Sequence, residues 1–283
     1  MSTFIIPRLI GGLGNQLWTL SAAYVIQQES GKDPLILIPD FCDNPHKNSE
    51  ADYFSIFSKF PNCSRIHIPH EFLKGPMEFM YFAQQNGVSF ESPQTNSHAP
   101  WNPASIQIPC LLEGYFQNYQ VISNHFPKIC DLIRSGLPRA PESEAASRRS
   151  LTNTNTVFIH VRRGDYLKSP DYHYILDDTY YQKALQHFDT TTTNFLIFSD
   201  DIPNCQEREI FKVLPNKEFI NEPDELKALT MMTSCKGGSI IANSTFSYWG
   251  AALSGAPKVF APRGNRWSVD NPQFLFPDSW NII

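Results

Sequence analysis

The sequence predicts an α/β protein of two domains. Three observations carry that expectation. The 283 residues amount to about two domains at roughly 150 residues each. The chain opens on a strand, a glycine turn and a helix. A Pro-, Ser- and Thr-rich stretch near the middle is followed by a regular alternation of strand and helix signals.

Taken in order, residues 4–10 (FIIPRLI) read as a strand and Gly11–Gly14 as a tight turn. Gln16 to Gln28 read as a helix, because Leu17, Leu20 and Tyr24 recur on one face. Leu35–Ile38, a second apolar run stopped by Pro39-Asp40, completes a parallel βαβ opening. Between 41 and 110 the pattern weakens, and residues 91–105 (ESPQTNSHAPWNPAS) read as a long surface loop. Residues 138–155 have no sustained apolar period and mark a linker, which divides the chain into domains 1–145 and 146–283. Beyond it, strands are expected at 156–161, 195–199, 218–220, 238–242 and 258–261. Helices are expected near 179–188, 206–213, 223–234 and 247–254. Short apolar runs alternating with helices describe an open, mostly parallel sheet.

Composition narrows the function. At 41% hydrophobic and 18% charged residues the chain has ample material for packed cores. With 23 Lys and Arg against 28 Asp and Glu, a net charge of -5 provides no broad cationic surface, which argues against nucleic acid as a partner. No stretch approaches the roughly 20 apolar residues that span a bilayer, and the start lacks the shape of a secretory leader. A cytoplasmic protein is expected, with a place beside membrane-bound glycan synthesis left open. Six cysteines without a CxxC pair give no support to a zinc ribbon or a redox dithiol and read as reduced thiols.

In an open parallel sheet, ligands lie beyond the carboxyl ends of the strands. Three of the expected strands run directly into polar segments: Arg162-Arg163-Gly164-Asp165, then Ser199-Asp200-Asp201, then Asn243-Ser244-Thr245-Phe246-Ser247 opening a helix. Each group has a plainer reading alone, respectively a surface ion pair, a solvated turn and a helix cap. Together they gather two guanidiniums and a helix N-terminus on one edge, and that combination suits a diphosphate without requiring a metal. His160 precedes the arginine pair on its strand and reads equally well as a packed core residue. The first turn, with Gly12 and Gly14 after a strand and Asp40 after the next, superficially resembles a dinucleotide fingerprint. Leu17 stands where its third glycine belongs. The same loop brings the amides of Asn15 and Gln16 to a strand end, where amides can bind sugar hydroxyls. Phosphate-loop, HExxH, GxSxG and EF-hand patterns are missing from the sequence.

Five segments occurring in order, GGLGNQL (11–17), EGYFQNYQ (113–120), HVRRGDY (160–166), FSDD (198–201) and NSTFSYWGAAL (243–253), resemble the α-1,2-fucosyltransferases of glycosyltransferase family 11. The likeness runs from residue 8 to the PDSW tail. It departs from common family patterns at Leu17-Trp18, Asn243–Thr245 and Tyr248-Trp249, positions that bear on acceptor preference.

The resemblance implies a GT-B-like fold of two Rossmann-like domains facing across a cleft, with an acceptor-binding N-terminal domain and a C-terminal domain that binds GDP-fucose. The implied activity is inverting transfer of L-fucose from GDP-fucose to the 2-hydroxyl of a terminal galactose in a glycan, with neither a cofactor nor a metal. Arg162 would contact the donor diphosphate. His160, Arg163, Asp200, Ser244, Thr245, Phe246, Ser247, Gly12 and Gly14 would complete the donor site. Asp165 is the first candidate for the base, Asn15 would lie near the fucose or the acceptor hydroxyl, and Gln16, Tyr115 and Gln117 would contact the acceptor. Two other classes remain: a non-catalytic glycan- or nucleotide-binding module, and a nicotinamide-dependent oxidoreductase using Gly12, Gly14 and Asp40.

Overall fold

The structure is a computed structural model that describes residues 3–40, 53–92, 99–139, 155–171, 173–263 and 276–283. The chain forms two compact units, Met1–Leu137 and Pro138–Ile283. The expected boundary at 145/146 lies outside the described residues.

The first unit contains β1 (Phe4–Pro7), α1 (Leu13–Glu29), β2 (Leu35–Pro39), α2 (Phe54–Phe57), β3 (Cys63–Ile66), α3 (Pro76–Gln85), β4 (Ser89–Glu91), β5 (Cys110–Leu112), α4 (Tyr119–Ile122) and α5 (Phe126–Gly136). Its strands run in the order β3-β2-β1-β5-β4, and every pairing is parallel. Ile5 stands between Ile36 on β2 and Cys110 on β5. One face is closed by α3, whose Phe79 and Ala83 pack on Ile6 and Leu111. α1 is buried along nearly all of its length, so its sequence is apolar or small almost all round rather than amphipathic.

Two expectations shift here. β1 stops at Pro7 rather than residue 10, although the Arg8 N–H still reaches the Leu112 carbonyl at 2.9 Å. α1 starts at Leu13 rather than Gln16, because Gly12 takes the extended N-cap conformation immediately before it. The expected surface loop shares only Glu91 with β4, and its Trp101 is buried edge-on against Phe116, with ring centroids 5.3 Å apart.

The second unit contains β6 (Thr156–Val161), α6 (Asp178–Leu185), β7 (Asn194–Ser199), α7 (Ile202–Glu207), α8 (Glu209–Lys212), β8 (Lys217–Ile220), α9 (Glu225–Ser234), β9 (Gly238–Ile240), α10 (Thr245–Ser254), β10 (Val259–Ala261) and β11 (Asn281–Ile282). The sheet order is β11-β10-β9-β6-β7-β8, again wholly parallel. Counted from β6, this is the doubly wound 3-2-1-4-5-6 order, so the chain reverses direction across the sheet between β6 and β9.

β6 is buried on both faces: Val157, Ile159 and Val161 join a core with Tyr181 and Phe211, while Phe158 joins another with Met232 and Ala251. That alternation is the two-residue period of a strand. The helix expected near 206–213 is split into α7 and α8 at Arg208. The Arg208 backbone is extended, and its guanidinium pairs with Asp178 over the rings of Tyr181 and Phe211. Asp177 and Asp224 cap α6 and α9 by accepting backbone N–H bonds, and Gly255 ends α10 in the left-handed conformation.

Among the described residues no helix is long and apolar enough to cross a membrane. The described cysteines are free thiols. Burial pushes Cys63, Cys110, Cys130 and Cys235 up to about 12, which makes them poor nucleophiles.

Candidate active site

β6 and β9 lie side by side at the reversal point of the second sheet, and the segments that leave their carboxyl ends carry Arg162, Arg163, Asp165 and residues 244–247. Arg162 is held from two sides. Its Nη2 lies 2.6 Å from Asp165 Oδ1 and its Nη1 lies 2.9 Å from Asp200 Oδ2. Asp200 comes from the neighbouring strand end, after β7, and its other oxygen accepts the backbone N–H of Arg163 at 2.8 Å. Arg163 turns instead to Asp201, with Nε 3.3 Å from Oδ2. Asp165 is therefore the partner of Arg162, and the alternative pairing with Arg163 does not form. A guanidinium has five N–H donors, and two directions of the Arg162 fork are occupied by carboxylates.

Residues that sequence reasoning passed over complete the arrangement. Tyr166, the last letter of the HVRRGDY segment, lies with its ring 5.5 Å from the Arg162 guanidinium carbon and stacks on His173 at 3.9 Å. Its hydroxyl donates to the Asn243 carbonyl at 2.8 Å, tying the loop after β6 to the loop after β9. Asn243 in turn donates its amide to the Tyr174 carbonyl at 2.8 Å. The signal was available, because a Tyr closing a polar strand-end motif has both an aromatic face and a hydroxyl to place.

His160 is buried, its Nδ1 has no protein partner, and its ring centroid lies 6.1 Å from that of Phe246. Burial, the largest influence, lowers its pKa to about 4; Asp200 opposes that shift and Arg162 adds to it. The imidazole is therefore neutral near pH 7.

Ser244 is the N-cap residue of α10, yet its hydroxyl makes no capping bond. The electropositive end of that helix therefore receives no cap from Ser244. Thr245 and Phe246 form its first turn. Ser247 is wholly buried, and its Oγ accepts the Ala242 N–H at 3.0 Å. This hydroxyl shapes the loop rather than offering itself to a phosphate.

In the first unit the corresponding edge is formed by the loops after β1 and β5. Gly11 has φ +74°, and a Cβ there would stand 2.6 Å from Asn15 Nδ2, so the turn demands glycine. Asn15 Oδ1 accepts from Gln117 Nε2 at 2.9 Å, joining two motifs 102 residues apart. Thr19 Oγ1 donates to the Gly114 carbonyl at 3.0 Å. Tyr115, in the same loop after β5, is exposed.

Gln16 differs from the expectation of an acceptor contact. It is wholly buried and donates Nε2 to the Gly11 carbonyl at 2.9 Å, which closes the glycine turn from within. Gly14 is likewise buried in the first turn of α1, while Gly12 is partly exposed at its cap. Beneath the loops, Arg8 Nη1 meets Glu113 Oε1 at 2.9 Å and Arg8 Nε donates to the Leu73 carbonyl at 3.1 Å. Burial raises the Glu113 pKa in spite of Arg8. Asp40, the acidic residue of the nicotinamide reading, is bonded to His67 at 2.7 Å. Among the described residues no cluster of His, Cys, Asp and Glu has the makings of a metal site.

Residues 103–267 match the sequence model of glycosyl transferase family 11. An O-antigen biosynthesis glycosyltransferase of Escherichia coli is 28% identical, over 96% of this chain and 98% of its own. An α-1,2-colitosyltransferase of Escherichia coli is 25% identical, over 89% of this chain and 88% of its own. Among solved structures, a glycosyl transferase family 9 protein of Veillonella parvula superposes with a TM-score of 0.52 at 12% identity, covering 100% of this chain and 87% of that one. That likeness speaks for the fold alone, which is GT-B, with a parallel α/β sheet in each unit. Since the family match covers more than half of the sequence, the chain belongs to glycosyl transferase family 11 and is a glycosyltransferase.

Proposed function

We propose that the protein transfers L-fucose from GDP-fucose to the 2-hydroxyl of a terminal galactose, with inversion at the sugar carbon and release of GDP. The observation that carries this reading is the clamping of Arg162 by Asp165 and Asp200 at the reversal point of the second sheet, on the edge from which α10 starts. As the bond from C1 to the phosphate oxygen breaks, negative charge grows on the β-phosphate. A guanidinium fork and helix amides already in place strengthen their hold in the transition state and lower the barrier. These are fixed positive groups of the protein, so the proposal includes turnover without a divalent cation. The choice of fucose rests on the five ordered motifs, and the choice of the 2-hydroxyl on those motifs together with the α-1,2 linkage in the name of one relative.

Inversion requires the acceptor hydroxyl to attack from the face opposite the leaving group and to lose its proton. Asp165 is the proposed base, held 2.6 Å from Arg162. Asn15, fixed by Gln117, and the exposed Tyr115 are proposed to meet the acceptor.

The test is incubation with GDP-fucose and a panel of galactose-terminated oligosaccharides, with product linkage determined by NMR. Fucose on the galactose 2-hydroxyl with stoichiometric GDP is expected. Another linkage, or no GDP release with any acceptor, would overturn the proposal. The colitosyl relative favours a second reading, transfer of colitose to the same position; a higher kcat/KM with the colitosyl donor than with GDP-fucose would establish it.

A further inference from the structure

The first unit has a hollow that none of the roles above uses. It has a volume of about 330 Å³ and is lined by Glu71, Phe72, Met77, Glu78 and Tyr81. This lies at the small end of the roughly 300–1,000 Å³ typical of small-molecule sites. Met77 and Tyr81 are 66% and 54% exposed, so the hollow presents an apolar thioether and an aromatic ring to solvent. Phe72 is held in place by Phe82 and Tyr81, with ring centroids 5.2 and 6.5 Å away. Gly75 makes room for the Glu78 carboxylate, because a Cβ there would stand 2.5 Å from Glu78 Oε2.

The position of the hollow follows from topology. The chain leaves β3 at the carboxyl edge of a parallel sheet and must cross back before β4, so the turn at His70–Leu73 and the start of α3 lie on that edge. The same edge carries the Gly11–Asn15 and Glu113–Gln117 loops. Arg8 fixes the connection, since one guanidinium bonds both the Leu73 carbonyl and Glu113.

We propose that this hollow binds an outer sugar ring of the acceptor glycan, beyond the residue that is modified; the inference rests on the acceptor being a glycan. Aromatic faces receive the apolar C–H face of a pyranose. Ionised carboxylates only accept hydrogen bonds, which matches a ligand rich in hydroxyl donors. Two carboxylates without a cation among the five lining residues select against phosphate, nucleic acid and anionic lipid.

The experiment compares galactose-terminated di-, tri- and tetrasaccharides with wild type, Tyr81→Ala and Glu78→Gln, all surface changes. Saturation-transfer NMR without donor reads binding, and steady-state kinetics read KM and kcat. Wild type should bind the tetrasaccharide about tenfold more tightly than the disaccharide, a gain of roughly 1.4 kcal/mol. Tyr81→Ala should erase that gain, while the disaccharide KM, kcat and the donor KM stay unchanged. An unaltered length dependence in Tyr81→Ala, or equal losses on short and long acceptors, would overturn the proposal, as would a change confined to self-association in sedimentation. If wild type released no GDP with any sugar, the transferase reading would fail separately, and the NMR series would still decide the hollow.

Discussion

Asp200 holds two consecutive arginines at once, with Oδ2 2.9 Å from Arg162 Nη1 and Oδ1 accepting the Arg163 backbone N–H at 2.8 Å. With Asp165 on the other arm of Arg162, the fork is oriented before any ligand arrives, so little reorganisation is needed during reaction. Arg162→Lys keeps the charge and loses the fork. Single-turnover transfer by this variant should fall about 10²- to 10³-fold, as when one preorganised donor is removed. Its melting temperature should stay close to wild type, because the residue is partly exposed. Near-normal turnover would remove Arg162 from the mechanism.

Asp165 has two possible tasks, holding Arg162 and taking the acceptor proton, and Asp165→Asn separates them. Asn keeps the shape of the side chain beside Arg162, but it is a far weaker base. If the carboxylate is the base, kcat drops by about 10²- to 10⁴-fold while calorimetric GDP affinity is nearly unchanged. A loss of GDP affinity that matches the loss in kcat/KM would make Asp165 a positioning residue.

Gly164 offers a test of the clamp that removes no charged group. A Cβ there would stand 2.6 Å from Asp200 Oδ2, the oxygen that holds Arg162. Gly164→Ala should therefore displace the carboxylate and weaken GDP binding by about tenfold, or roughly 1.4 kcal/mol. The Gly164 backbone needs no left-handed φ, so folding should change little. Unchanged GDP affinity on calorimetry would show that the clamp has no part in donor binding.

The second unit was legible because β6 and β7 are continuous apolar runs buried on both faces, each stopped by charged residues at the carboxyl edge. Chemistry therefore fell where the strand pattern ended. The stretch between 41 and 110 was not legible. β3 is an edge strand with Ser64 and Arg65 exposed, and β4 has only three partly buried residues, so neither makes an apolar run. α3 did carry punctuation, with Pro76 at its first position and the left-handed Gly87 just beyond its end. The exposed Met77 and Tyr81 blurred its apolar period. The bond between Asn15 and Gln117 could not be read from spacing at all, since it depends on β1 and β5 becoming neighbours in the sheet.

His160 makes stability depend on pH. Burial lowers its pKa to about 4 from an ordinary 6.5. As pH falls, the unfolded chain takes up the proton first, so the contribution is complete above about pH 6.5 and is lost progressively down to about pH 4. At about 1.36 kcal/mol for each pH unit, the loss is on the order of 3 kcal/mol. Urea midpoints measured from pH 7 to pH 4 should fall for wild type and should fall less for His160→Leu. Parallel curves for the two proteins would show that another group controls acid stability.

Arg8 and Glu113 form a buried pair, 2.9 Å apart, under the loops proposed to meet the acceptor. Burial opposes ionisation of Glu113 more strongly than Arg8 favours it, so the pair is held by its geometry at a cost in desolvation. Glu113→Ala would strand a buried guanidinium and should destabilise the protein by about 3–5 kcal/mol. Arg8→Met combined with Glu113→Leu removes both charges at similar volume and should recover most of that loss, within about 1–2 kcal/mol of wild type. Denaturant midpoints of the two variants test this. A double variant as unstable as the single one would mean that Arg8 matters chiefly through its bond to the Leu73 carbonyl, which Met cannot make. A stable double variant whose acceptor KM still rises would instead separate the two contributions. The fold would then tolerate loss of the pair, while the loops that Arg8 ties together would need it to hold the acceptor.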